Sequence, residues 1–250
     1  MLTAVGESVV ERARVVLRET DNIREVARRA TDPEAGSLRI GLFPTLAPYL
    51  LPHIVPVLHE RFPKLELLLV EEKSAVVHQR LRDGQLDVGL LAMPVHDDHL
   101  HCEPLFDEEF VLAVPTGHPL SSVRGTVSTS VLAGDNVLLL EEGHCLRDQA
   151  LSVCQLAGAE ERSGFRATSL ETLRQMVAAG VGVTLLPELA VQPPIPPSPD
   201  IDLVRFDSPI PRRQIAMFWR RTSAYADFLP GIAEVIREIT DGLMPARSDH

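Results

Sequence analysis

Over residues 5–30, small or apolar side chains recur at Val9, Ala13, Val16, Thr20, Ile23, Ala27 and Ala30, with Arg and Glu filling the positions between. Spacings that alternate between four and three predict one helix with a coiled-coil seam. Three alanines and a threonine make a weak seam, so the helix is expected to pack on a partner chain or an adjoining domain. An ordinary amphipathic helix lying on its own domain is the alternative. Asp32-Pro33 and Gly36 then predict a linker over 31–37.

From residue 38 the pattern alternates between strand and helix. Strands are expected at 38–42, 65–70 and 87–92, with helices at 48–61 and at 74–83, the latter closed by Gly84. This βαβαβ order predicts a parallel, doubly wound sheet. A second set follows, with apolar stretches at 111–114 and 137–140 and a helix over 145–157. A further helix is opened by Thr168, with Glu171 completing a capping box, and closed by Gly180, before a strand at 183–186. Two similar α/β lobes result. Five prolines within 192–200 predict a stiff, exposed polyproline loop, read as a connector in preference to a partner motif. A strand at 215–219 and a helix at 225–239 complete the series, ahead of a polar tail.

Composition narrows the function classes. The 250 residues carry 35 acidic and 24 basic side chains, a net charge of -11, with 45% hydrophobic residues. That is globular, and too acidic for a broad nucleic-acid footprint. The longest uncharged run, 40–58, is broken by Pro44, Pro48, Pro52 and Pro56, and the first thirty residues are too charged for a signal peptide, so the expected compartment is a reducing cytoplasm. Three cysteines cannot form a disulfide framework, which leaves them chemical roles.

Cys145 stands just after an apolar strand and Gly143, where a helix begins. The helix N-terminus, Arg147 and a protonated His144 would favour thiolate, the form that peroxide oxidises to a sulfenic acid. Asp148 opposes this, so a hydrogen-bonding or capping role is expected for it. Cys154 lies nine residues on. In a continuous helix that spacing is about 13 Å and about half a turn away, whereas a disulfide needs Cα atoms within about 7 Å. Bridging the two requires the helix to unwind; two ordinary half-buried cysteines is the competing reading. His96, Asp97, Asp98, His99, His101 and Cys102 have metal-ligand chemistry but no second liganding pair at zinc-like spacing, so they read as a polar loop and no metal is expected. Thr45, after the first strand, is either a ligand contact or a turn residue. Thr168 is accounted for by capping.

Gly143-His144-Cys145-Leu146-Arg147-Asp148-Gln149 with Cys154, Phe165 to Arg174, and Pro44 to His53 together resemble the OxyR family of peroxide-sensing LysR-type transcription regulators. The resemblance runs from the first residues to about 245. It implies a two-lobed, periplasmic-binding-protein-like (type 2) α/β effector domain after a linker helix: 1–36 helix and hinge, 37–107 with 214–245 lobe I, 108–213 lobe II. It also implies that Cys145 reacts with peroxide and Cys154 resolves it. Thr45, His144 and Asp148 would line the peroxide pocket with Ser74, which stands where the family has threonine. Arg213 would be the cation that offsets Asp148.

The same resemblance implies a homodimer, a tetramer at full length, with hydrogen peroxide as ligand and neither metal nor cofactor. The opening residues match the start of the family's linker helix, so the DNA-reading winged helix-turn-helix is expected to be missing from this chain, with promoter DNA and RNA polymerase met only through the full-length protein. Two rivals stand beside this sensor: a domain or solute-binding protein holding a small organic anion, and a cysteine peroxidase. The peroxidase lacks a Pro-x3-Thr-x2-Cys pattern around Cys145, and the chain is expected not to be an enzyme.

Overall fold

A computed structural model describes residues 3–29, 35–158 and 166–244. They fall into two compact units, one drawn from 3–29, 35–43, 53–105 and 216–243, the other from 44–52, 106–158, 166–215 and 244.

The first unit opens with α1 (Ala4–Arg29), 26 residues as the period predicts. Its seam is exposed at Val9, Ala13, Val16, Thr20, Ile23 and Ala27, with Ile23 at 68%; Ala30 lies outside the described residues. β1 (Gly36–Leu42) runs parallel to β2 (Leu65–Glu71) on one side and to β3 (Val88–Ala92) on the other, Ile40 pairing with both Leu69 and Val88. All five β3 residues are buried, as a strand covered on both faces requires. The sheet is closely covered here: a Cβ on Gly41 would come 2.5 Å from a methyl of Leu86 and 2.9 Å from a methyl of Val77 on the crossover helix α3 (Ser74–Arg82), so a side chain at 41 would have to displace them. Gly84, at φ +72, ends that helix as expected, and Arg220 donates to the Leu81 and Leu86 carbonyls at 2.7 Å each.

α2 (Ala47–Arg61) matches the predicted 48–61. The final helix, α6 (Leu229–Leu243), starts four residues later than expected, with 225–228 in turns. Pro230 explains the shift: without an N–H it is tolerated only in a first turn.

In the second unit the main sheet is mixed where a parallel one was expected. β4 (Leu100–Pro115) is 16 residues long and pairs antiparallel with β8 (Thr184–Pro187) and with β9 (Ile201–Phe206), beside which β5 (Thr126–Val127) runs parallel. The first three residues of β4, 100–102, fall in the run expected to be a polar loop, and β9 was not anticipated. β10 (Arg212–Arg220) contains the expected 215–219. A separate two-stranded parallel sheet joins β6 (Leu139–Leu140) to β7 (Arg166–Ala167), each strand followed by a helix, α4 (Cys145–Leu156) and α5 (Leu170–Ala178). The strand expected at 183–186 begins at Thr184, Val183 making only a bridge to Val137.

The helix α5 is capped by Ser169 and not by Thr168: the Ser169 hydroxyl accepts from the Thr172 N–H at 3.2 Å, one residue out of the expected frame. The proline loop is mostly exposed but folds into a turn, Ile195 N–H donating to Gln192 O at 3.0 Å. No helix among the described residues is long and apolar enough to cross a membrane.

Candidate functional site

Cys145 is the first residue of α4, half-buried, and Cys154 lies in its last turn, 2% exposed; both are free thiols. The helix is continuous between them, so their Cα atoms are about 13 Å apart. Burial pushes the Cys154 thiol above its ordinary value.

The start of α4 is fixed from the strand side. Glu141 N–H donates to Ala167 O at 2.9 Å, Gly143 turns the chain at φ +90, and the buried Arg147 reaches back to donate to Leu140 O at 3.2 Å. His144 occupies the N-cap, 6% exposed, makes no side-chain cap bond, and places Nε2 3.8 Å from Glu141. Asp148 was expected to cap or hydrogen-bond. Its side chain is exposed and does neither among the described residues; its carbonyl accepts from the Ser152 hydroxyl at 2.9 Å. Gln149 Oε1 is buried with no donor.

A second group forms around Arg213. Its side chain is fully buried against Glu108, Nε to Oε2 at 2.7 Å, both 0% exposed. Nη1 donates to Thr45 Oγ1 at 3.2 Å and Nη2 to Thr45 O at 3.0 Å, and Glu108 Oε1 accepts the Leu189 N–H at 2.9 Å. Thr45 is thus a buried partner of Arg213. Arg213 is not a spare cation set against Asp148, because Glu108 already balances its charge. The sequence reading missed Glu108, which sits in the acidic run Asp107-Glu108-Glu109. One signal could have found it: Glu108 shares the inward register of β4 with Phe110, Leu112 and Val114, as Arg213 shares that of β10 with Ile215.

Ser74 belongs to the other unit, as first residue of α3, its Oγ buried without a hydrogen-bond partner. In the His/Asp run, Asp97 is taken up by His78 at 2.9 Å and Arg82 at 3.5 Å. Cys102, on β4, donates to Met93 Sδ at 3.8 Å, and burial with Glu103 nearby raises its thiol. No group of three metal-ligating side chains occurs among the described residues.

The LysR substrate binding domain family matches residues 31–234. The DNA-binding transcriptional dual regulator OxyR of Escherichia coli K12 is 45% identical over 242 residues, 97% of this chain and 79% of that protein. The reduced form of OxyR superposes with a TM-score of 0.75 at 44% identity, covering 84% of this chain and 98% of the other. The oxidised form gives 0.74 at 47% identity, covering 83% and 97%.

Proposed function

This chain belongs to the OxyR family of LysR-type regulators, and from that premise we propose that it is a hydrogen-peroxide sensor switched by a reversible Cys145–Cys154 disulfide. The single observation that carries the reading is Cys145 at the first residue of α4 with a buried thiol nine residues along the same helix.

The thiolate of Cys145 attacks one peroxide oxygen. An S–O bond forms, the O–O bond breaks, and the departing hydroxide takes a proton to become water, so sulfur is oxidised by two electrons and peroxide reduced. Cys154 then attacks the sulfenate sulfur, forming the S–S bond and releasing a second water. The intact helix prevents that second step in two ways. It holds the sulfurs too far apart, and burial keeps Cys154 a thiol instead of the nucleophilic thiolate. Unwinding α4 removes both obstacles together, so oxidation is a conformational event.

Thr45, His144, Asp148, Ser74 and Arg213 line the peroxide pocket in this proposal, and Gln149 Oε1 is a buried acceptor free to take a ligand O–H. Residues 1–36 form the linker helix and hinge, 37–107 with 214–245 one lobe, and 108–213 the other. The exposed seam of α1 suits a second copy of the chain in a homodimer, with tetramers at full length. The protein works in the cytoplasm as a regulator, not an enzyme, with no resident cofactor, and reaches promoter DNA and RNA polymerase in its full-length form.

The test is peptide mapping after near-stoichiometric peroxide and a denaturing quench. A linked Cys145–Cys154 peptide is expected, and a persistent absence of it while Cys145 is oxidised defeats the switch.

A further inference from the structure

We propose that Glu108 is a positioning residue for the peroxide reaction, locking Arg213 so that the Thr45 hydroxyl is left as a donor toward the ligand; this rests on the sensor reading above. A guanidinium is a rigid planar fork without an acceptor, so fixing Nε fixes both Nη groups. Glu108 fixes Nε at 2.7 Å, and its own rotation is blocked because Oε1 accepts the Leu189 N–H at 2.9 Å. Nη2 is then spent on Thr45 O, and Nη1 occupies the acceptor side of Thr45 Oγ1.

The hydroxyl proton of Thr45 must therefore point away from Arg213, and among the described residues no acceptor takes it. Thr45 is 2% exposed, so the unspent donor is held in a buried setting. A bound peroxide oxygen is an acceptor of suitable chemistry, and a donor fixed beforehand stabilises the charge that grows on the leaving oxygen.

The experiment uses the whole chain with Glu108→Gln, which keeps the shape but can accept only one of the two N–H groups. Stopped-flow rates of Cys145 with H2O2 and with iodoacetamide are compared. The peroxide rate is expected to fall by about tenfold or more, the alkylation rate to stay within about twofold, and Glu108→Gln to add no further loss in a Thr45→Val background. Three results overturn the proposal: an unchanged peroxide rate, an equal fall in both rates, or the same loss without the Thr45 hydroxyl.

If Glu108→Gln does not fold, the Arg213 Nε–H resonance of the unaltered protein decides, slow solvent exchange being expected and fast exchange fatal. A wild-type peroxide rate no higher than that of free cysteine is a different outcome, and it removes the sensor reading itself.

Discussion

Helices α4 and α5 start from the two strands of one small parallel sheet, yet they are held in place by different means. In α5, Ser169 satisfies a free N–H, and the helix buries Leu170, Leu173, Arg174 and Val177. In α4 the N-cap His144 makes no such bond, and the buried set is Leu146, Arg147, Ala150 and Cys154. A cap contributes about 1 kcal/mol, and a fully buried large aliphatic side chain about 1.5–3 kcal/mol. Past its first turn α4 buries only an alanine and a cysteine. The helix carrying both cysteines is accordingly the less costly one to unwind, while α5 is built to persist. In the proposed switch, chemistry and mechanical weakness share one element.

The sharpest way to break this contrast is to truncate one buried residue on each helix. Leu173→Ala should destabilise the domain by about 2–5 kcal/mol and Cys154→Ala by about 1 kcal/mol, read from denaturant melts; equal losses would show the helices to be held alike. Next in size, Ser169→Ala should cost about 1 kcal/mol of stability while leaving the closure of the Cys145–Cys154 disulfide from the sulfenate unchanged. Slower closure would mean that α5 must also open.

The third test uses pH. Burial raises Cys154 above the ordinary thiol value of 9.0, so folding favours its protonated form. The stability this gives is complete below pH 9.0 and is lost as pH climbs through the raised value. Melts across that range should show the reduced protein weakening and Cys154→Ala weakening less; Cys102, also raised, is present in both and cancels. The smallest expected effect comes from Ser152, whose hydroxyl back-bonds to Asp148 O on the exposed face of α4. Ser152→Ala should strengthen the helix by about 0.5 kcal/mol and slow disulfide closure about twofold. An unchanged closure rate would show that this part of α4 stays wound.

Elements with a strong local signal were legible in the sequence. The alternating four- and three-residue spacing of α1, the apolar run of β3, and Gly143 before a helix start at Cys145 all depend on neighbours in the chain. Where a competing local signal existed, the boundary moved. Pro230 pushed α6 later, and Ser169, not Thr168, took the cap because its hydroxyl is the one that meets the Thr172 N–H. The start of β4 was hidden by the mixed residues His101, Cys102, Glu103 and Pro104, which follow no clean alternation.

What the sequence determined by itself, then, was most of the helices and the spacing of one cysteine pair: two cysteines nine residues apart cannot meet while α4 stays wound, since rise per residue is a local property. Which buried groups share a charge was decided only by the tertiary structure. Glu108 and Arg213 are 105 positions apart, and Arg213 and Thr45 are 168 apart. In the chain Glu108 is one of three consecutive acids, set apart from the other two only by its alternation with Phe110, Leu112 and Val114. It becomes a fully buried carboxylate because β4 turns that register inward, where desolvation demands a cation and Arg213 supplies it.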